Sequence, residues 1–267
     1  MAQLLFQGET SASIAAALAE CPPHPYVDRL QGLLAGRERQ IDALAAEVSA
    51  TAANHDASGA TPAEGIARIA GFFDRAVAHS PEASVALYSL GDPAILAAAT
   101  EEIVRWLEAQ GVLAPEMDVL DLGCGFGRVA AVLAPHCRSV LGLDVSAGMV
   151  AEARRRQAGF ANLRFEQTGG QDLAALPDRA FDLVLAIDSF PYIVQTGDEV
   201  AVRHVTDAAR ILRPGGALAM LNLSYRNDDA TDLADAQRWA AMTGLRLEIA
   251  DPRPFRLWDA SAYVLRR

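Results

Sequence analysis

Val119-Leu-Asp-Leu-Gly-Cys-Gly-Phe-Gly-Arg-Val129 decides how this chain is read. Val119 to Leu122 is a short apolar run that suits a buried strand, and the pattern of Arg128 to Leu133 begins a helix directly after the glycines. Glycines at 123, 125 and 127 let the chain turn through positive φ and keep side chains away from a ligand lying on the backbone. The helix that follows points its free amides at that ligand. A dinucleotide site of the Gly-x-Gly-x-x-Gly kind needs a third glycine where this chain has Arg128. Gly127 instead opens room for a ligand with no pyrophosphate. No Gly-Lys-Ser/Thr follows, which excludes a phosphate loop of that type.

About 20 residues further on, a second apolar run ends in Leu141-Gly-Leu-Asp144, the place from which a carboxylate grips both ribose hydroxyls of a nucleoside. Strand, glycine turn, helix, strand and acid in that order point to a nucleoside cofactor. The spacing predicts strands over Asp118–Leu122, Ser139–Asp144, Leu163–Gln167, Phe181–Ile187 and Ala217–Leu223, with two more over Leu245–Ala250 and Ala262–Arg266. Apolar runs of this length, alternating with helices, predict a parallel sheet covered on both faces. The link Asp251–Ser261 is too short for a helical crossover, so the last two strands are expected to pair antiparallel.

The chain before about Val112 has a different texture, Ala-rich and helical. Tyr26 to Ser49 carries apolar residues at helical spacing and is a candidate dimerisation face. Thr51 to Pro62 loses periodicity and reads as an exposed loop, and more helix is expected from Pro62 to His79. Asp92-Pro93 starts a further helix that stops at Gly111. The expected division is a helical cap over 1–112 and an α/β domain over 113–267.

Four segments carry a family resemblance. Val119 to Gly127 resembles the first motif of the class I S-adenosylmethionine-dependent methyltransferases, and Asp144-Val-Ser-Ala-Gly-Met149 resembles their acidic second motif. Leu176-Pro-Asp-Arg-Ala-Phe-Asp-Leu-Val184 is similar to the segment entering their fourth strand, and Ile211-Leu-Arg-Pro-Gly-Gly216 to the turn before their fifth. The resemblance covers residues 113 to 267. It implies a doubly wound, seven-stranded, mostly parallel sheet of order 3-2-1-4-5-7-6 with the seventh strand antiparallel. It implies S-adenosylmethionine as cofactor and S-adenosylhomocysteine as product. Asp121, Gly123 and Gly125 would then hold the methionyl end, with Gly127 also among the cofactor-binding residues, and Asp144 the ribose, while Val145 and Met149 pack near the adenine. Many members place an acid for the adenine amino group after the third strand. This chain has Thr168-Gly-Gly-Gln-Asp172, so Gly169 or Gly170 stands at that position and Gln171 or Asp172 is the substitute.

The fourth strand delivers Asp188-Ser-Phe-Pro-Tyr192 to the carboxyl edge of the sheet, where open α/β sheets bind ligands. In the resembled family this segment borders the transferred methyl, making Asp188, Phe190 and Tyr192 pocket candidates. Asn222 and Tyr225, at the end of the fifth strand, join them by the same edge argument. A hydroxyl acceptor needs a base, whereas a neutral amine attacks with its own lone pair. His204 is the histidine nearest this edge in sequence, so Asp188, Tyr192 and His204 form the candidate catalytic set; His79, in the helical region, is no more and no less supported as a base. Tyr88, in the irregular stretch Ser84–Gly91, is a candidate to lie against the sulfonium, since an aromatic face attracts a cation.

Composition narrows the partners. At 267 residues and 51% hydrophobic the chain buries a core without disulfides or structural metal. Its three cysteines are scattered and lack metal-ligand spacing, as in a reduced intracellular compartment. No basic leading segment and no uncharged run of ~20 residues stand out, so the expected chain is soluble, cytoplasmic and without a membrane partner. A net charge of -11 argues against nucleic acid, whose binding relies on Lys and Arg displacing counterions. Arg154-Arg155-Arg156, late in a helix, reads as a solvated basic end favoured by the helix dipole. The expected activity is methyl transfer to a small molecule. Its rivals are a nucleoside-binding regulatory protein without catalysis and an NAD-dependent oxidoreductase, the latter disfavoured by Arg128.

Overall fold

The computed structural model of the chain describes residues 9–39, 41–42, 61–79, 81 and 93–267. The readings that fall on Tyr88, on Ser84–Gly91, on Asp92, on most of the 51–62 loop and on 43–49 lie outside these residues. Among the described residues the N-terminal part includes the helices Ser11–Glu20 (α1), Pro25–Leu34 (α2), Pro62–His79 (α3) and Pro93–Ala109 (α4). Thr10 and Ser13 form a reciprocal capping box at the start of α1, satisfying amides that the first turn leaves free. The Ser11 amide and hydroxyl both donate to Asp42, at 2.7 and 3.0 Å. The helical pattern beginning at Tyr26 breaks after Leu34, where Gly36 takes a φ of 77°.

From residue 118 strands and helices alternate: Asp118–Leu122 (β1), Arg128–Leu133 (α5), Ser139–Asp144 (β2), Ala147–Arg156 (α6), Leu163–Gln167 (β3), Phe181–Ile187 (β4), Phe190–Gln195 (α7), Asp198–Ile211 (α8), Leu212–Leu221 (β5), Asp229–Thr243 (α9), Arg246–Asp251 (β6) and Ala262–Arg266 (β7). They form a seven-stranded sheet in the order β3-β2-β1-β4-β5-β7-β6. The first five strands pair parallel, and β7 runs antiparallel to both β5 and β6. This is the doubly wound topology that the resemblance implied.

Strand alternation sorts the core into two layers. Val119, Leu183, Leu185 and Ala219 face α4, α5 and α6, whereas Leu120, Val184, Ala186, Leu218 and Met220 face α8 and α9. The expected border at 112/113 is not a border in packing terms. Leu96, Ala99, Ile103 and Leu107 of α4 share one apolar cluster with Val119, Ala130 and Leu133.

The fifth strand begins earlier than its apolar run suggested. Leu212 already pairs with Phe181, a register shift follows, and Gly216 lies so close to β4 that a Cβ there would stand 2.8 Å from the Asp182 carbonyl. Arg213-Pro-Gly-Gly216 is therefore an irregular strand entry, which composition alone reads as a turn. Nor is the basic run simply solvated. Arg154 donates twice to the Phe165 carbonyl, Arg155 and Arg156 pair with Glu152, and the Arg156 guanidinium lies 4.5 Å from the Phe126 ring centre. No described helix is long and apolar enough to cross a membrane.

Candidate functional site

Parallel pairing brings the carboxyl ends of β1, β2 and β4 to one edge, with Asp121 level with Gly142 on one side and Leu185 on the other. The turn after β1 passes through three left-handed glycines, Gly123, Gly125 and Gly127, at φ of 75°, 54° and 77°. It is hooked onto β2 because the amides of Gly123 and Cys124 both donate to the Leu143 carbonyl, at 2.7 and 3.0 Å. A Cβ on residue 123 would stand 2.3 Å from the Cβ of Ser189, whose hydroxyl donates to the Leu122 carbonyl at 2.5 Å. The turn after β1 is thus pressed against the segment leaving β4.

A Cβ on Gly127 would lie 2.7 Å from Cζ of Phe165, so the space on that side of Gly127 holds a β3 side chain. Gly127 is the N-cap of α5, and its bare backbone lets that helix close onto the sheet.

Asp144 stands where the sequence put it, buried at the end of β2. Its Oδ2 accepts from the Gly125 amide and its Oδ1 from the Ser146 amide, both at 2.9 Å. Burial pushes its pKa up, and the two amides pull it down. Asp121 is only 2% exposed, and its Oδ2 has no hydrogen-bond partner among the described residues. Burial raises this carboxyl to about 7; nearby Arg128 opposes the shift and Asp144 adds to it. An orphaned carboxylate oxygen in such a place is costly unless a donor meets it.

Helix α3 supplies contacts that no motif announced. Asp74 Oδ1 accepts from the Ser146 hydroxyl at 2.6 Å and from the Gly148 amide at 2.8 Å, capping α6 from across the molecule. Ser146 in turn accepts from the Met149 amide, so the first turn of α6 has two capping side chains. Ile66, about two turns before Asp74 on α3, meets Gly170: a Cβ at 170 would be 3.0 Å from Ile66 and 2.5 Å from Val145. An aspartate within an amphipathic helix gives no sequence signal of such a role.

The adenine-side expectations divide. Val145 and Gly170 are pressed together after β2 and β3, with Val145 half-buried, whereas Met149 is 1% exposed and belongs to the core under α6. The α6 face that carries Met149 turns toward the sheet. Gln171 is exposed, and Asp172 folds back so that its Oδ1 accepts from the Ala174 amide.

At the acceptor edge, β4 and β5 end in two non-glycine residues with left-handed backbone, Asp188 at φ 56° and Asn222 at φ 67°. Asp188 Oδ1 accepts from the Asn222 amide at 2.7 Å and from the Tyr225 hydroxyl at 3.0 Å. Burial raises Asp188 to about 6, and it holds the Tyr192 and Tyr225 phenols well above their ordinary range, their burial being the larger cause. Tyr192 meets Tyr225 edge-on at 5.5 Å between ring centres, and Phe73 of α3 meets Tyr192 at 5.2 Å. Phe190 is a core residue, tilted against Trp239 at 5.5 Å, because the first turn of α7 directs it inward.

His204 is not brought to Asp188. It is 2% exposed on the core face of α8, and its Nδ1 is hydrogen-bonded to the Val200 carbonyl one turn back at 2.8 Å. Burial lowers its pKa, and the charges that act on it are Asp207, Asp172 and Arg203. The catalytic candidates thus separate into Asp188 and Tyr192, which touch a common cluster, and His204, which does not.

Residues 119–216 match the family model described as a methyltransferase domain. Among curated proteins, the chain is 35% identical over 115 residues to a demethylmenaquinone methyltransferase of Tropheryma whipplei, covering 43% of this chain and 45% of that one. It is 38% identical over 167 residues to a trans-aconitate 2-methyltransferase of Methylobacterium nodulans, covering 58% of this chain and 60% of that one. The chain spans about half the length of the curated relatives it matches. Among solved structures, the Synechocystis magnesium protoporphyrin IX methyltransferase with bound SAM superposes with a TM-score of 0.56 at 20% identity, over 76% of this chain and 97% of that one. Phosphoethanolamine N-methyltransferase 1 of Haemonchus contortus gives 0.60 at 17% identity, over 77% and 48%. The solved structures share the fold.

Proposed function

We infer, from the premise that this chain carries a class I S-adenosylmethionine-dependent methyltransferase domain, that the protein transfers a methyl group from S-adenosylmethionine to a small-molecule acceptor. The observation that carries this reading is the orphaned, buried Oδ2 of Asp121, set beside the Asp144 carboxylate and the bare backbone of Gly123. A cationic amino group is the partner that this oxygen lacks, and the methionyl end of the cofactor has one. The residues present therefore fit the cofactor. Bound there, the cofactor supplies an electrophilic methyl on a sulfonium, open to in-line displacement.

The protein's own share is placement and exclusion of water. Asp144 keeps lone pairs beyond its two amide bonds with which to grip a ribose diol. Val145, Gly170 and Ile66 form an apolar wall suited to adenine, and Asp172 is the acid nearest its amino edge in sequence. Asp188, Tyr192 and Tyr225 line the acceptor side. The relatives named for demethylmenaquinone and trans-aconitate support a small acceptor.

Calorimetric titration of the full chain with S-adenosylmethionine, S-adenosylhomocysteine and NAD tests this. The first two are expected to bind and NAD is not, and Asp144→Ala is expected to weaken binding at least about tenfold, or ~1.4 kcal/mol. No heat with either sulfur nucleoside overturns the reading. Formation of S-adenosylhomocysteine from acceptor mixtures then separates an enzyme from a binding protein.

A further inference from the structure

The Asp188 cluster is more specific than a generic pocket wall. One oxygen of the carboxylate is committed to the Asn222 side-chain amide and the Tyr225 hydroxyl, and among the described residues the second has no hydrogen bond. The residue is half-buried, as are Tyr192, Tyr225 and Phe73, and the rings run edge-to-face from Phe73 through Tyr192 to Tyr225, whose hydroxyl meets Asp188. Asp188 and Asn222 both hold left-handed backbone, which costs about 1 kcal/mol or more at a non-glycine residue and points to a geometry kept for use.

The charges favour one class of ligand. Apart from burial and its two hydrogen-bond donors, Asp188 feels Asp259 more strongly than the opposing Arg128. Arg128 is itself engaged with the Thr100 hydroxyl at 2.5 Å. At neutral pH the phenols remain neutral and the carboxylate is ionised, so the cluster offers one negative charge and several π faces. Both attract a cation that carries N–H donors, and both repel an anionic carboxylate.

Resting on the methyltransferase reading above, we propose that Asp188, with Asn222 and Tyr225 fixing it and Tyr192 and Phe73 as walls, is the acceptor subsite and that it takes an amine. Asp188 receives the ammonium N–H on its unshared oxygen and takes that proton, freeing the nitrogen lone pair that would accept the methyl, and the rings cover the carbon skeleton. The acceptor class is thereby an amine and not a free carboxylic acid.

The test uses the full chain saturated with S-adenosylhomocysteine and three probes of one shape: benzylamine, benzyl alcohol and benzoate. Benzylamine is expected to bind at least about tenfold more tightly than either other probe. Asp188→Asn, which keeps the left-handed backbone that asparagine tolerates, is expected to erase that preference. Tyr225→Phe loses one of the two donors and is expected to reduce the preference without abolishing it. The affinity of each variant for S-adenosylhomocysteine reports that it is folded. Equal or tighter binding of benzoate or the alcohol, no measurable benzylamine binding, or an unchanged preference in Asp188→Asn overturns the proposal while leaving the cofactor reading intact. Failure of S-adenosylhomocysteine to bind the wild type overturns both.

Discussion

Lowering the pH is expected to loosen the cofactor through Asp121. Burial raises this carboxyl to about 7, so it is largely neutral at pH 5 and half ionised at pH 7. If the ammonium of the cofactor requires the carboxylate, affinity falls as the pH falls through 7, and the α-amino group stays protonated throughout that window. With one proton to expel, binding at pH 5 is weaker than at pH 7 by roughly 50-fold, or ~2.3 kcal/mol. The upward shift of Asp144 acts in the same direction. Calorimetry with S-adenosylhomocysteine between pH 5 and 7, in buffers of different ionisation enthalpy, measures both the affinity and the proton released. Asp121→Asn is expected to flatten much of the slope and weaken binding at pH 7. The same shift has the opposite sign for stability. A raised carboxyl favours the folded state at low pH, and that contribution is lost as the pH climbs from the ordinary carboxylate range through about 7. Unliganded Asp121→Asn is therefore expected to be more stable than wild type at pH 8, by on the order of 1–3 kcal/mol. Affinity constant within twofold from pH 5 to 7, with no proton release, refutes the argument.

Other outcomes follow from the same contacts. Gly123→Ala meets both a left-handed φ and Ser189, so it is expected to cost about 2–5 kcal/mol, whereas Gly215→Ala, with φ 82° and open space, costs only the backbone share of about 1–2 kcal/mol. Urea denaturation that ranks the two equally removes the close-approach argument. Asp74→Ala uncaps α6 and is expected to lower stability by about 1 kcal/mol and to speed amide exchange in residues 62–79. Unchanged exchange there shows that Asp74 does not anchor α3. His204→Ala is expected to destabilise by about 2 kcal/mol, as a buried side chain does when truncated, with S-adenosylhomocysteine affinity unchanged. A loss of turnover far beyond that of stability would restore His204 to the chemistry.

Local pattern in the sequence located the strands and helices, and the family resemblance of four motifs implied the sheet order and the places where cofactor residues are expected. Strand and helix periods are local, and Asp121, the glycine turn and Asp144 are fixed by their place at strand ends, so reading along the chain locates them. Which face a residue presents was not legible in the same way. Gly127 makes room for Phe165, Met149 and Phe190 turn into the core, and His204 bonds its own helix. Asp74 and Ile66 were invisible because their partners, Gly148 and Gly170, lie far along the chain. The grouping of Asp188 with Asn222, Tyr225 and Phe73 depends on β4, β5 and α3 converging on one edge. Only tertiary packing decides such matters, because side-chain direction and long-range contact are set by how elements lie on one another and not by the local pattern of any one of them.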